Sequence, residues 1–223
     1  MDIKENDENR GEYWNKYYDS RSAPIIPSQF AVFFANEINP KSSVIELGSG
    51  NGRDSFFFSK IVNHVIAVDG SEVAVNNCKN KAIEDGLNNI DLLHSLIDDP
   101  ELFSKLEKIL LNSNASRNSL FVYSRFFLHS INEDEENKMI LLISKLLDSY
   151  TGSAYLEFRT EEDKHLSKYT GTHFRRYVAP KNLINKFNNM NFSIDYHVEG
   201  LGYAKYKVDD AHAARLVVSK NRC

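Results

Sequence analysis

Residues 43–54 read SVIELGSGNGRD, a short apolar run followed by three glycines at alternate positions. The apolar residues predict a buried β-strand, and the glycines permit a tight turn in which a ligand can lie against bare backbone. A second apolar run, HVIAVD at 64–69, ends in Asp69 and leads through Gly70 and Ser71 into a helical pattern. The region therefore predicts a strand, a glycine turn, a helix and a second strand that ends in a carboxylate.

The polar residues of this unit indicate which ligand it binds. Asp69 lies about 20 residues beyond the glycines, where a carboxylate can accept hydrogen bonds from both ribose hydroxyls. Glu46, beside the turn, would repel a pyrophosphate and attract an ammonium or sulfonium group. Arg53 stands where a dinucleotide fingerprint has its third glycine. The pattern favours an adenosyl ligand, and the alternative is a plain strand–turn–helix with a capping aspartate.

Strand and helix patterns alternate along the rest of the chain. Apolar strands are predicted at 44–47, 64–68, 90–94, 119–123, 154–158, 192–198 and 213–219. Helical spacing is predicted over about 53–62, 71–85 and 99–112, and in segments that begin near Ser28, Asn132 and Pro180. This alternation predicts an α/β fold, a doubly wound and mostly parallel sheet with helices on both faces. Ligands of such sheets bind at the carboxyl ends of the strands.

The two motifs resemble those of the class I S-adenosylmethionine-dependent methyltransferases. ELGSGNG at 46–52 is similar to the first motif of that family, and VDGS at 68–71 to the second. The resemblance implies a Rossmann-like sheet of seven strands, the last antiparallel, in a domain at 40–223 that follows an aromatic lid segment at 1–39. It also implies S-adenosyl-L-methionine as the cofactor and S-adenosyl-L-homocysteine as the product.

The resemblance implies roles for individual residues around the methyl donor. Gly48 and Gly50 line its methionine portion, Asp69 holds the ribose, and Glu46 orients the turn or the amino group. The residues expected to contact the donor are Trp14, Arg21, Glu46, Gly48, Gly50, Asn51, Arg53, Asp69, Gly70, Ser71 and Arg125. The sequence departs from the family after the third strand, where HSLI at 94–97 stands in place of an aspartate that faces the adenine. We expect backbone amides and Leu96 or Ile97 to hold the adenine.

The acceptor side is predicted from polar residues that follow the fourth and fifth strands. His129 has the side chain suited to a general base near neutral pH, and His173 is the second choice. Arginine forks match phosphate or carboxylate oxygens, and a basic group lies at 159–177. The residues expected to contact the acceptor are Tyr13, Arg159, Arg175, Arg176 and Tyr177. The alternative is a solvated turn whose arginines pair with nearby acids.

Together these features predict a methyltransferase that O-methylates a small anionic acceptor. The aromatic N-terminal segment and HFRRY at 173–177 resemble methyltransferases of bacterial surface-polysaccharide assembly. That resemblance implies a sugar or nucleotide-linked precursor bearing a phosphate, phosphoramidate or carboxylate. The alternatives are an N-methyltransferase for a small amine and a non-catalytic partner protein that binds an adenosyl ligand. Glu46 and Arg53 disfavour a nucleotide-binding oxidoreductase.

Composition limits the other classes of function. A net charge of −4 and a pI near 6.0 argue against nucleic-acid binding. The two cysteines, Cys78 and Cys223, make neither a disulfide framework nor a zinc site, and no metal is expected. The sequence shows no signal peptide and no apolar run of the ~18 residues that span a bilayer. A cytoplasmic protein without membrane insertion is expected, and the oligomeric state is left open.

Overall fold

The computed structural model describes residues 3–19, 24–113, 116–166, 168 and 174–222, with side chains from residue 10 onward. Within these residues, strands β1 to β7 are Ser43–Leu47, His64–Asp69, Ile90–His94, Leu120–Arg125, Gly152–Arg159, Phe192–Tyr206 and Asp209–Lys220. Helices α1 to α7 are Ile3–Asp19, Gln29–Ala35, Arg53–Phe58, Glu72–Glu84, Leu102–Asn112, Glu133–Ser149 and Pro180–Asn189.

The seven strands form one sheet in the order β3-β2-β1-β4-β5-β7-β6. Strands β1 to β5 pair in parallel, whereas β7 runs antiparallel to both β5 and β6. The predicted Rossmann-like, mostly parallel sheet with an antiparallel last strand is therefore confirmed. From β1 the sheet extends in both directions, through β2 and β3 on one side and through β4 and β5 on the other. The carboxyl ends of β1, β2 and β4 therefore border the crevice in which such folds bind ligands.

Two apolar layers hold helices against the two faces of the sheet. On one face, Ile45 belongs to a buried cluster that includes Leu106 of α5 and Ile143 of α6. On the other face, Val44 belongs to a cluster with Phe34 of α2 and Phe58 of α3. Neighbouring strand residues point to opposite faces, which is why an unbroken apolar strand supports helices on both sides.

The helix starts follow from local sequence as predicted. The Asn132 side chain accepts a hydrogen bond from the Glu135 amide at 2.9 Å, and the Glu135 carboxylate accepts one from the Asn132 amide at 2.7 Å. This capping box fixes the first turn of α6. Ser71 caps α4 by accepting from the Ala74 amide. Both caps lie at the cleft edge of the sheet, so they also place residues around the site.

The ends of the chain depart from the sequence-based prediction. No helix is predicted before residue 28, but one runs from residue 3 to residue 19. The last two strands extend to Phe192–Tyr206 and Asp209–Lys220, well past the apolar runs. The extra length is polar and is held by the hairpin ladder itself, with irregular register between Gly200 and Ala204. Every helix in the described ranges is too short or too polar to cross a membrane.

Candidate functional site

A cleft of about 830 Å³ opens at the carboxyl ends of β1, β2 and β4. This volume lies within the range typical of small-molecule sites. The predicted site residues on its wall are Trp14, Glu46, Gly48, Gly50, Asn51, Arg53, Asp69, Gly70, Ser71, Arg125, His129, Arg159 and Arg175. The fold thus brings residues from four strands, from helices α1 and α3 and from the connecting loops to one place.

The glycine turn forms the floor of the cleft and requires glycine for two reasons. Gly48, Gly50 and Gly52 all have positive φ angles, +75°, +55° and +71°. A Cβ added to Gly48 would come within 2.5 Å of the Phe127 ring, and one added to Gly50 would overlap the Tyr18 hydroxyl. Backbone conformation and close packing therefore both exclude a side chain at these positions.

Asp69 ties the end of β2 to the glycine turn. One carboxylate oxygen accepts from the Gly50 amide at 2.7 Å, and the other accepts from the Ser71 amide at 2.8 Å. Burial raises the pKa of Asp69, and these two amide bonds oppose that rise. Each oxygen keeps a second lone pair for an incoming hydroxyl. Asp69 thus meets what the predicted contact with two ribose hydroxyls requires, a fixed carboxylate with a free lone pair on each oxygen.

Two further carboxylates lie beneath the turn. Glu46 is 3% exposed and accepts a short hydrogen bond from the Ser55 hydroxyl. Burial, reinforced by the nearby Asp54, raises the pKa of Glu46 well above its ordinary value. Asp54 accepts from the Ser28 amide and hydroxyl at 2.8 and 2.7 Å, and from the Tyr123 hydroxyl at 2.9 Å. Glu46 therefore braces the turn against α3, and Asp54 joins α3 to the start of α2 and to β4.

Helix α1 lies across the cleft and supplies what we call the aromatic roof, Trp14, Tyr17 and Tyr18. The Trp14 and Tyr18 rings stack with centroids 5.8 Å apart, and Tyr17 meets both edge-on. Helix α1 is hydrogen-bonded to residues on both sides of the cleft. Asn15 accepts from the Ser71 hydroxyl at 2.6 Å. On the opposite side of the cleft, Arg10 binds the Glu135 carboxylate in a bidentate pair at 2.6 and 2.8 Å.

Because one ion pair anchors α1 to α6, Arg10→Ala should loosen the aromatic roof. The pair is only partly exposed, so its loss should cost about 1 kcal/mol and weaken S-adenosyl-L-homocysteine binding about threefold. Acrylamide quenching of Trp14, the only tryptophan, should increase in parallel. Lys16→Ala, which removes an exposed pair with Glu12 on the same helix, is the matched control. Quenching equal in both variants would contradict an anchoring role for Arg10.

On the other side of β1, two arginines flank the Phe126 ring. The Arg125 guanidinium lies 4.2 Å from the ring centroid and the Arg159 guanidinium 4.9 Å from it. The Arg125 Nε donates to Glu157 at 2.8 Å. The two terminal nitrogens of Arg159 donate to Asp163 at 2.7 Å and to Asp209 at 2.8 Å. The charge of Arg159 is therefore neutralised inside the protein, although its side chain borders the cleft.

Comparison with known proteins identifies the family. Residues 38–161, more than half of the chain, match the family model of a methyltransferase domain. The chain belongs to the class I S-adenosylmethionine-dependent methyltransferases. Membership of this family gives the methyltransferase its reaction, the transfer of a methyl group from S-adenosyl-L-methionine. No curated protein matches the methyltransferase.

Solved structures share its fold over nearly the whole length. A SAM-dependent methyltransferase from Anabaena variabilis is 22% identical, with a TM-score of 0.69 over 95% of this chain and 93% of that one. The glycopeptide N-methyltransferase MtfA, solved with S-adenosyl-L-methionine, is 12% identical, with a TM-score of 0.63 over 91% and 90%. The cyclase SpnF is 10% identical, with a TM-score of 0.68 over 96% and 94%. These likenesses establish the fold alone, and SpnF illustrates that the fold does not fix the chemistry.

The donor half of the methyltransferase cleft fits the adenosyl cofactor. The Asp69 carboxylate suits the ribose, and Gly48 and Gly50 line the cleft beside it. Leu96 and Ile97 line the neighbouring wall, where an adenine was expected. Asn51 also lines the cleft, but its amide donates to the Pro24 carbonyl at 2.7 Å, so it ties the turn to the segment before α2. Arg53 lies 3.6 Å from Asp54 and borders the same space.

The structure separates the residues predicted to contact the acceptor. Arg175 and His129 border the cleft, and His129 is 5% exposed. Arg176 does not reach it: its guanidinium pairs with Glu136 at 2.5 Å and donates to the Ile131 and Leu128 carbonyls at 3.0 and 3.3 Å. Tyr13 and Tyr177 are not on the cleft wall either. His173 and Arg21 lie outside the described residues.

The wall that the β6–β7 hairpin contributes to the cleft was not predicted from the sequence. Ala204, Lys205, Tyr206 and Asp209 line the cleft. The hairpin is held in place where the Lys205 amide donates to the Gln29 side chain at 3.2 Å. One signal was available: YAKYKVDD at 203–210 is polar and aromatic, and it precedes the last apolar strand. Among the described residues, no group of three or more His, Cys, Asp or Glu is arranged to hold a metal.

Proposed function

We propose that this methyltransferase O-methylates a small acceptor that carries a phosphate, phosphoramidate or carboxylate group. The acceptor class is a sugar or nucleotide-linked precursor of surface polysaccharide, used in the cytoplasm. One observation carries the proposal. The side of the cleft formed by β4, the loop after β5 and the β6–β7 hairpin presents Arg125, Arg175 and Lys205, whereas the donor half presents Asp69, with Glu46 buried beneath the turn and Arg53 beside Asp54. Such a division of charge favours a cationic donor on one side and an anionic acceptor on the other.

The residues of this chain contribute mainly alignment and exclusion of water. When bound, S-adenosyl-L-methionine supplies a methyl group that is already activated on a sulfonium. Asp69 and the glycine turn position the donor, and the aromatic roof covers it. Arg125 can orient an acceptor oxygen through its terminal nitrogens, because its Nε is fixed by Glu157. Holding the two reacting groups in line accounts for a large part of such a rate enhancement.

An acceptor whose nucleophile is an anionic oxygen needs no general base. We therefore expect His129→Gln, which keeps a hydrogen-bond donor in the cleft wall, to lower kcat by less than about tenfold. Loss of a general base typically costs 10²–10⁴-fold. The kcat of both proteins should stay level between about pH 6.5 and 9. A loss above 100-fold with a rate that rises with pH in the native enzyme would assign the nucleophile to a neutral hydroxyl instead.

Turnover with a methyl-labelled donor tests the acceptor class directly. The panel pairs each phosphorylated or carboxylated sugar with the same sugar lacking that group, and adds the corresponding amino sugar. Label is expected on the anionic members alone, and the methyl carbon shift of the product, read by ¹³C NMR, separates N-methyl from O-methyl attachment. Transfer to the amino sugar, with none to the anionic members, would contradict the proposal and favour N-methylation of a small amine.

A further inference from the structure

A row of three charged residues crosses the sheet beside the cleft. Glu157 of β5 stands opposite Arg125 of β4 and opposite Arg215 of β7 in the strand register. Its side chain is 0% exposed, and its two oxygens accept from the Nε atoms of Arg125 and Arg215, each at 2.8 Å. These three residues form what we call the charge row. One carboxylate is shared by two guanidinium groups, so the charge row carries one net positive charge.

Arg215 faces away from the cleft. It is not on the cleft wall, and its guanidinium lies 5.3 Å from the ring centroids of Phe30, Phe33 and Tyr203. Its terminal nitrogen donates to the Tyr203 carbonyl at 2.7 Å. These contacts fix the guanidinium in place. Arg215 is therefore positioned to share the Glu157 carboxylate, so Glu157 does not serve Arg125 alone.

Arg125 is the member that reaches the ligand space. It borders the cleft with its side chain 14% exposed, and its guanidinium plane rests against Phe126. Its Nε donates to Glu157, and no described residue takes a hydrogen bond from its two terminal nitrogens. A guanidinium held in this way offers its remaining donors as a pre-oriented fork to an oxyanion.

Arg159 shows by contrast what the shared carboxylate achieves. It lies against the same Phe126 ring but is paired with two carboxylates, Asp163 and Asp209. A lysine, Lys168, also contacts Asp163 at 3.0 Å. The two positive charges of Arg159 and Lys168 are therefore balanced by the two negative charges of Asp163 and Asp209. Of the two arginines on this ring, Arg125 alone has as its carboxylate partner one that a second arginine also binds.

We infer that Arg125 is an oxyanion-binding residue of the cleft and that Glu157 and Arg215 are positioning residues for it. The ligand chemistry is a pair of phosphate or carboxylate oxygens bound by the guanidinium fork. That pair can belong to the acceptor, in which case the inference rests on the proposed function and deepens it, or to the carboxylate of the donor. In both cases Arg215 acts without touching the ligand, through the charge of Glu157.

Trp14 fluorescence gives the test, because this single tryptophan lines the same cleft. Inorganic phosphate and S-adenosyl-L-homocysteine are titrated separately into the native protein, Arg215→Gln and Arg215→Lys. We expect Arg215→Gln to weaken one or both ligands about tenfold, since a unit charge is removed next to a buried carboxylate. Arg215→Lys should restore affinity to within about threefold. Weaker phosphate binding would show that Arg125 binds oxygens of the acceptor. Weaker S-adenosyl-L-homocysteine binding would show that it binds the carboxylate of the donor.

Controls separate this charge effect from damage to the fold. Lys60→Gln removes one positive charge from an exposed position before β2, at the opposite end of the sheet, and should leave both affinities unchanged. Arg125→Gln should weaken the same ligand as Arg215→Gln, which keeps the inference testable if Arg215→Gln fails to fold. Native affinity for both ligands in the folded variants, or equal losses in Arg215→Lys and Arg215→Gln, would overturn the inference. Loss of phosphate binding without label transfer to any anionic acceptor would support the charge row and contradict the proposed function.

Discussion

Replacing Asp69 by alanine is expected to weaken S-adenosyl-L-homocysteine binding by at least about 100-fold. The carboxylate is expected to receive the ribose hydroxyls, and it already holds the Gly50 and Ser71 amides at 2.7 and 2.8 Å. The substitution therefore removes hydrogen bonds to the ligand and also releases the turn that shapes its site. Hydrogen bonds to a charged group contribute about 1.5–3 kcal/mol each, and 100-fold corresponds to about 2.7 kcal/mol.

Calorimetric titration measures this loss directly, and thermal unfolding of the free protein separates binding from stability. Two amides lose their acceptor, so a fall in Tm is expected even without ligand. Asp85→Ala is the matched control, because Asp85 lies at the far end of α4, where it pairs with Lys81 on the surface. Asp69→Asn should weaken S-adenosyl-L-homocysteine binding about as much as Asp69→Ala does, because the side-chain NH₂ of asparagine would face a backbone N–H. Affinity within threefold of native in Asp69→Ala would remove Asp69 from the ribose site.

The sequence predicted the sheet and the donor half of the cleft because their signals are local. Gly48 and Gly50 lie within one turn, and Asp69 ends the next strand, so spacing alone places them together. The sequence also predicted an aromatic lid segment at 1–39, but the position of the aromatic roof, like that of the unpredicted hairpin wall, is set by contacts between residues far apart in the chain. Lys205 meets Gln29 across 176 positions, and Arg10 meets Glu135 across 125. Local patterns carry no information about such pairs.

The arginines show a second limit of sequence reasoning. Arg159 and Arg176 were grouped because they are close in the chain, yet Arg159 pairs with Asp163 and Asp209, 4 and 50 positions away, and Arg176 pairs with Glu136, 40 positions away. Proximity in sequence shows how many cationic side chains a segment carries, but it does not show which of them are paired with a carboxylate. A charged residue inside an otherwise apolar strand, such as Glu157 in GSAYLEFR, is the signal that could have directed attention to the charge row.

Replacing Gly50 by alanine tests whether the aromatic roof and the glycine turn form one site. The residue has a φ angle of +55°, and an added Cβ would overlap the Tyr18 hydroxyl. Tyr18 belongs to α1, which is hydrogen-bonded to residues on both sides of the cleft. The alanine side chain at position 50 must therefore displace α1 or distort the glycine turn. We expect S-adenosyl-L-homocysteine affinity to fall about 30-fold or more, with strain of about 1–3 kcal/mol at the turn itself. Trp14 emission should shift because its ring stacks on Tyr18.

Gly86→Ala provides the control for backbone strain. Gly86 follows α4 with a φ angle of +65°, close to that of Gly50, but a Cβ there would meet no atom within 4 Å. It should lower stability by about 1 kcal/mol and leave both ligand affinity and Trp14 emission unchanged. The difference between the two variants then measures the contact with Tyr18 rather than the left-handed conformation. If both variants bind S-adenosyl-L-homocysteine equally well, Tyr18 does not pack on the glycine turn during binding, and α1 must leave the cleft when the donor enters.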